Sequence, residues 1–301
     1  MLQTSTASRV EELAAAIESV TVHRLSNSDA PEVLAFLSQR PIHTVAMMSL
    51  IRDNGIVSTF NRGTFYGCRD LKGQLEGVAL VGHATLMETV SDRALAALAN
   101  IARECPNTHM IMGEKERVAD FWSHYTNAGL RQRLACREWL FELSWPIEAR
   151  AQVAELRTAK AEELELVMPI QAELAFAESG VNPMEIDAQG FRERCLRRIE
   201  QGRTWVVVEN GSLIFKADVI SKTPEVVYLE GVWLREDRRL QKTGTRLMSE
   251  LMRRLLEDTK SICLLVNETN EWAQGFYRKC GFHFRATYET IFLPRKGQVQ
   301  N

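Results

Sequence analysis

The chain has 301 residues, 45% of them hydrophobic, enough to bury a substantial core and to form two domains. Its 37 Lys and Arg nearly cancel 39 Asp and Glu, so no global field draws it to nucleic acid or to an anionic membrane. The opening MLQTSTASRVEELAAAIESV lacks a basic leader followed by an apolar run, and no later window approaches the ~20 apolar residues of a membrane span, so a cytoplasmic location is expected.

Residues 1–20 read as an N-terminal extension, with helical composition over Glu11–Val20 and little tertiary signal. Val22–Leu25 then reads as a strand, Ser28 and Asp29 as candidate caps ahead of Pro31, and Pro41–Arg52 as a helix broken by Asn54–Gly55. Gly63–Tyr66 begins a strand that pairs with Leu75–Val81 through a Lys72–Gly73 turn. Helices at Ser91–Arg103 and Lys115–Ala128 alternate with strands at His109–Met112 and Leu134–Leu143. HATLMETVSD, ahead of the first of these helices, reads as a connection with no glycine, and so with no phosphate loop.

SWPIEARA, Ser144–Ala151, interrupts the pattern with a proline and marks the join between halves. After it come a strand at Ala154–Arg157, a helix over Thr158–Ala177 despite Pro169, and a loop at Glu178–Asn182. FRERCLRRIEQGR is an amphipathic helix whose arginines interleave with Glu193 and Glu200 as a solvated face. TWVVVENGSLIFKADVI is a hairpin on an Asn210–Gly211 turn, followed by a strand at Glu225–Leu234. The rest runs through a basic loop, an amphipathic helix, a buried strand and a capped helix stopped by Gly281. The halves share this order, and FWSHYTNAGLRQR can be laid beside GFYRKCGFHFR, so the chain reads as an internal duplication. Cys68, Cys105, Cys136, Cys195, Cys263 and Cys280 form no CxxC pair, the histidines show no ligand spacing, and no metal is expected.

Two motifs in the second half carry a resemblance. RLQKTG, from Arg239 to Gly244, matches at its two ends a loop of Arg or Gln, two variable residues, Gly, one variable residue, then Gly or Ala. Asn270, Ala273 and Tyr277 fall at i, i+3 and i+7 on one helical face, with Phe276 beside them, and match the pattern Asn-x-x-Ala-x-x-x-Tyr. On these residues the second half resembles the GNAT superfamily of N-acetyltransferases, and the first half a degenerate copy of the same unit. The resemblance implies an α/β (α+β) fold of two GNAT-like units, each a mixed, mostly antiparallel sheet flanked by helices. A structural unit is expected over residues 21–146 and an acetyltransferase domain over 147–301.

The same resemblance implies acetyl-CoA as cosubstrate and a small-molecule or peptide amine as acceptor. The backbone of Val232, Trp233 and Leu234 would bind the pantetheine arm on a splayed strand. Arg239, Leu240, Gln241, Lys242, Thr243, Gly244 and Thr245 would receive the pyrophosphate at a helix N-terminus, where unpaired N–H groups favour an anion. Leu240 and Lys242 stand where many relatives carry glycine; Lys242 either disfavours the loop's dihedrals or adds charge toward phosphate. Asn270 would touch the pantetheine arm while capping its helix, with Ala273 and Phe276 on the same face, and Tyr277 would protonate the departing thiolate. An alkylammonium near pKa ~10.4 must lose a proton before it attacks. Glu230 is the candidate base, acting through water, or else a structural acceptor. Glu178, Asp187 and Asp218 read as surface residues or caps. The competing reading is a non-catalytic acyl-CoA-binding or regulatory module with a decayed loop.

Overall fold

The structure, a computed structural model, describes residues 20–126, 130–147, 153, 155–239 and 242–294. The expected N-terminal extension lies outside these residues apart from Val20, which opens the first strand. The chain divides into two compact units, one of Met1–Glu138 with Thr287–Asn301 and one of Trp139–Ala286.

The first unit contains β1 (Val20–Arg24), α1 (Ala30–Leu37), α2 (Pro41–Asn54), β2 (Gly63–Asp70), β3 (Leu75–Gly82), β4 (Ala84–Thr89), α3 (Asp92–Glu104), β5 (Met110–Glu114) and α4 (Lys115–Tyr125). The strands from β1 to β4 pair antiparallel in sequence order, and β4 pairs parallel with β5. The period of two in β3 sends Ala79 and Val81 toward α3 and α4, and Val78 and Leu80 toward α1 and α2, so helices cover both faces. Ala94, Ala97, Ala99 and Ala102 pack α3 into the first of these cores. Ser91, where the expected helix begins, caps α3, its Oγ accepting from the N–H of Ala94.

One expectation is overturned here: HATLMETVSD contains the strand β4. Its polar residues hide the pattern, because Thr85, Glu88 and Thr89 are buried, and Glu88 is matched by the distant Arg40. Only Val90 and Ser91 separate β4 from α3, which leaves no loop that could wrap a phosphate.

The second unit holds parts of β6 (Leu134–Ser144), then β7 (Arg157–Thr158), α5 (Leu164–Ser179), α6 (Pro183–Glu200), β8 (Thr204–Glu209), β9 (Ser212–Lys222), β10 (Val226–Leu234), α7 (Thr243–Leu255), β11 (Ser261–Asn267), α8 (Glu271–Lys279) and part of β12 (His283–Phe292). Its strand order is β12-β6-β11-β10-β9-β8-β7. β10 and β11 are parallel, while β7 to β10 pair antiparallel. Strands β6 and β12 contribute residues to both units; Tyr288–Phe292 pair with β5. Within each unit the strand pairing is therefore mixed and mostly antiparallel.

Local chemistry explains most boundaries. Asn210 and Gly211 turn the β8–β9 hairpin with φ of 50° and 73°, the two positive values that a tight primed turn requires. The helix expected from Thr158 starts instead at Leu164. Glu163, which accepts from the Lys160 N–H and from Arg157, holds the preceding turn out of the helix. The next helix starts earlier than FRERC, at Pro183. Asn182 caps it, and Asp187, non-helical at a kink, accepts from the Gly190 N–H to start the second segment. Beneath α7 and α8 lies one core, with Leu247, Met248 and Leu251 against Val227, Leu229 and Ile262. Under α5 and α6 lies another, built on Val167, Phe191, Cys195 and Val206.

Candidate active site

Strand β10 organises the site. Its parallel register with β11 runs from Val226↔Ser261 to Leu229↔Leu264 and goes no further, although β10 continues to Leu234 and β11 to Asn267. At the same point its pairing with β9 passes from Glu230↔Asp218 to Trp233↔Lys216, two residues of β10 against one of β9. Gly231 sits in this bulge with φ 59°, a left-handed conformation that glycine adopts without steric cost. The bulge bends β10, and the expected splay at Val232–Leu234 is present. Val232 and Leu234 pack into the core under α7 and α8, whereas Trp233 packs on the α5–α6 side.

The loop after β10 ends on a left-handed residue at the start of α7. Lys242, the N-cap of α7, has φ 59° and ψ 1°, the left-handed conformation that costs an L-residue roughly 1–2 kcal/mol. The backbone thus adopts what glycine would allow, with an exposed cation added. Thr245 Oγ1 donates to the Lys242 carbonyl at 2.9 Å. Arg239 turns back, its Nε donating to the Leu234 carbonyl at 3.1 Å and its guanidinium meeting Glu236. Leu240 and Gln241 lie outside the described residues. Gly244 brings the first turn of α7 against both β10 and α8: a Cβ there would lie 3.2 Å from Phe276 Cε2 and 3.3 Å from Leu234 Cδ2.

These residues open onto a groove of about 770 Å³ lined by Leu234, Arg239, Lys242, Gly244, Thr245 and Phe276 from the expected set, with Glu271, Trp272, Gly275 and Lys279 added. Trp272 stacks on Phe276 with ring planes 3° apart and centroids at 5.8 Å. Three cations against one carboxylate, beside a helix N-terminus, suit an anionic ligand with an apolar arm. The added residues had a sequence signal: Trp272, Phe276 and Lys279 follow one another at helical spacing on the face of α8 that begins near Asn270.

Asn270 caps α8, its Oδ1 accepting from the Ala273 N–H at 3.0 Å. At the other end Gly281, with φ 95°, closes the helix; the Phe282 N–H donates to Tyr277 O and the Gly281 N–H to Arg278 O, the paired bonds of a glycine-terminated helix. This stop fixes Tyr277, whose ring meets Phe276 and Phe282 edge-on. Ala273 and Tyr277 join Val232, Leu234 and Phe276 on the same core. Burial pushes the Tyr277 phenol well above its ordinary range, so it holds its proton at neutral pH.

Glu230, beside the bulge, is partly buried and accepts from the Tyr228 hydroxyl at 3.3 Å. Burial raises its carboxyl above the usual range, with Asp218 adding to the rise while Arg198, Tyr228 and Lys216 oppose it. Asp218 is not the surface residue or cap its sequence context suggested. It is 1% exposed and receives Lys216 Nζ at 2.6 Å, Thr204 Oγ1 at 2.8 Å and Arg198 at 3.2 Å. The signal was the Lys-x-Asp pair inside the apolar strand SLIFKADVI, two residues apart and so on one face. Among the described residues no group of three or more His, Cys, Asp or Glu could hold a metal ion, and no helix is long and apolar enough to cross a membrane.

Residues 170–282, which include the splayed strand, the loop and α8, match the acetyltransferase (GNAT) family. They form a GNAT acetyltransferase domain. Acyl transfer is the chemistry of that family. At the level of fold the likeness extends over nearly the whole chain. An acetyltransferase of the GNAT family from Colwellia psychrerythraea is 11% identical with TM-score 0.58, covering 91% of this chain and 100% of its own. A tandem GNAT protein from the clavulanic acid biosynthesis pathway is 14% identical with TM-score 0.54, covering 93% and 100%. A GCN5-related N-acetyltransferase from Sphaerobacter thermophilus is 14% identical with TM-score 0.52, covering 92% and 96%. No curated protein matches the sequence. Two GNAT-like units in tandem are thus the architecture of the chain. In the first, the sheet also parts beyond Leu86↔Met112, but Arg40 spans Glu88 and Glu114 there, and His43 meets Tyr288 at 2.9 Å.

Proposed function

We propose that the GNAT domain is an acetyl-CoA-dependent N-acetyltransferase acting on a primary amine, and that the first unit is structural. The observation that carries this reading is the convergence at Gly244 of the α7 N-terminus, the open strand at Leu234 and the α8 face at Phe276. That geometry suits a bent ligand with an anionic end and an extended arm. Lys242, Lys279, Arg239 and the N–H groups of Thr243, Gly244 and Thr245 would receive the diphosphate. The backbone of Val232, Trp233 and Leu234 would run beside the pantetheine arm, and Asn270 would reach it with its amide N–H₂.

Glu230 would take a proton from the ammonium acceptor through water; burial and Asp218 raise its carboxyl above the usual range, the direction that strengthens it as a base. As the amine nitrogen bonds to the thioester carbon, the Val232 N–H would donate to the developing oxyanion. As the C–S bond breaks, Tyr277 would pass its proton to the thiolate. Calorimetric titration with acetyl-CoA, followed by thiol release over a panel of amines, tests the proposal. Absence of heat and of any thermal shift at millimolar acetyl-CoA would remove it.

A second reading, a non-catalytic acyl-CoA-binding module, draws on Lys242, whose strained backbone and side chain replace a glycine at the pyrophosphate position. It expects binding without thiol release for every amine tried.

A further inference from the structure

The second unit buries a charged network that neither the cofactor groove nor the Glu230–Tyr277 pair accounts for. Lys216 Nζ, with its residue fully buried, donates to Asp218 Oδ2 at 2.6 Å, to Gln171 Oε1 at 2.6 Å and to the Gly231 carbonyl at 3.3 Å. Asp218 holds Thr204 through its other oxygen and Arg198 through the same one. The network therefore ties α5, α6, β8 and β9 to the bulge in β10. Burying such a pair is costly, and replacing it with apolar residues is often neutral or stabilising, so stability alone does not explain its presence.

Position supplies the explanation. Asp218 is the register partner of Glu230 on the neighbouring antiparallel strand, and directly opposed residues share a face of the sheet. We propose that Asp218, clamped by Lys216, Arg198 and Thr204, is a positioning residue that sets the proton affinity of Glu230, while Lys216 fixes the Gly231 bulge on which Glu230 stands. This rests on the reading of Glu230 as the base.

The groups acting on Glu230 are Arg198 from α6, Asp218 and Lys216 from β9, and Tyr228 from its own strand. Their signs differ: Asp218 raises the Glu230 carboxyl, and Arg198 and Lys216 lower it. Two substitutions must therefore move Glu230 in opposite directions, a result that general loosening of the fold would not give. Asp218→Asn keeps a side chain able to meet Thr204 and Lys216, and Arg198→Gln lies on a partly exposed position.

The test is a carboxyl titration of the full chain labelled with ¹³C-glutamate, the Glu230 signal being the one lost in Glu230→Gln. Asp218→Asn is expected to lower the Glu230 midpoint and Arg198→Gln to raise it, each by about tenfold in proton affinity. Midpoints that stay fixed, or that move together, overturn the proposal. Should Asp218→Asn fail to fold, Arg198→Gln decides alone: an upward shift supports the proposal and any other result overturns it. The titration needs no acceptor, so it is independent of the catalytic reading, which fails separately if Glu230→Gln transfers acetyl groups at the wild-type rate.

Discussion

Gly244 on α7 and Phe276 on α8 approach so closely that a methyl group on the glycine would lie 3.2 Å from the ring. The contact lies in the lining of the groove and sets the distance between the α7 N-terminus and the α8 face. Gly244→Val is expected to destabilise the chain by about 1–3 kcal/mol through overpacking and to weaken acetyl-CoA binding more than tenfold. Gly244→Ala is the control, because about 1 kcal/mol of gained helix propensity offsets its smaller clash. Urea denaturation and calorimetry read the two effects, and wild-type affinity in the valine variant would show that this spacing does not matter to the ligand.

Lys242 pays for its left-handed backbone and contributes a cation to the groove. Lys242→Gly should stabilise the ligand-free chain by about 1 kcal/mol and loosen acetyl-CoA severalfold, with the difference shrinking as salt rises. Tighter binding in the glycine variant would mean that the side chain obstructs the phosphate position.

Tyr277→Phe removes a hydroxyl to which no described residue donates or accepts a hydrogen bond, so its stability should change little. If the phenol protonates the leaving thiolate, turnover should fall roughly a hundredfold while acetyl-CoA affinity holds. Steady-state thiol release beside calorimetry separates these, and unchanged turnover would retire the acid role.

Glu230 has a folded-state pKa above its unfolded value near ~4.3. Such a group contributes stability below the unfolded pKa and loses it as pH rises through the folded pKa. Glu230→Gln should therefore gain stability relative to the wild type as pH is raised from roughly 4 to 8, while losing acetyl transfer. Urea midpoints at both ends of that range check it; a stability difference independent of pH would show that the carboxyl is not perturbed by its surroundings.

Much of the fold was legible because its signals are local. Asn270 as a cap, Asn210–Gly211 as a turn and Gly281 as a stop each act over a few residues, and each is where the sequence places it. β4 was missed because buried polar residues break up its pattern, and the partner that lets Glu88 be buried, Arg40, is far away in the chain. The starts of α5 and α6 differ from the expected ones because Glu163 holds the turn ahead of α5 and Asn182, expected in a loop, caps α6.

At the site, the face of α8 followed from residue type and spacing, and the splayed strand was an expectation of the family resemblance those residues carry. That Lys242 adopts the glycine conformation, that Asp218 is buried against Lys216, and that β6 and β12 each serve two units did not. The sequence alone determined the helices, turns and caps, because those depend on neighbours three or four residues away. Only the tertiary structure decided which charges lose water together and which strands part. Desolvation and sheet register are properties of segments brought together across tens of residues, and no local pattern encodes them.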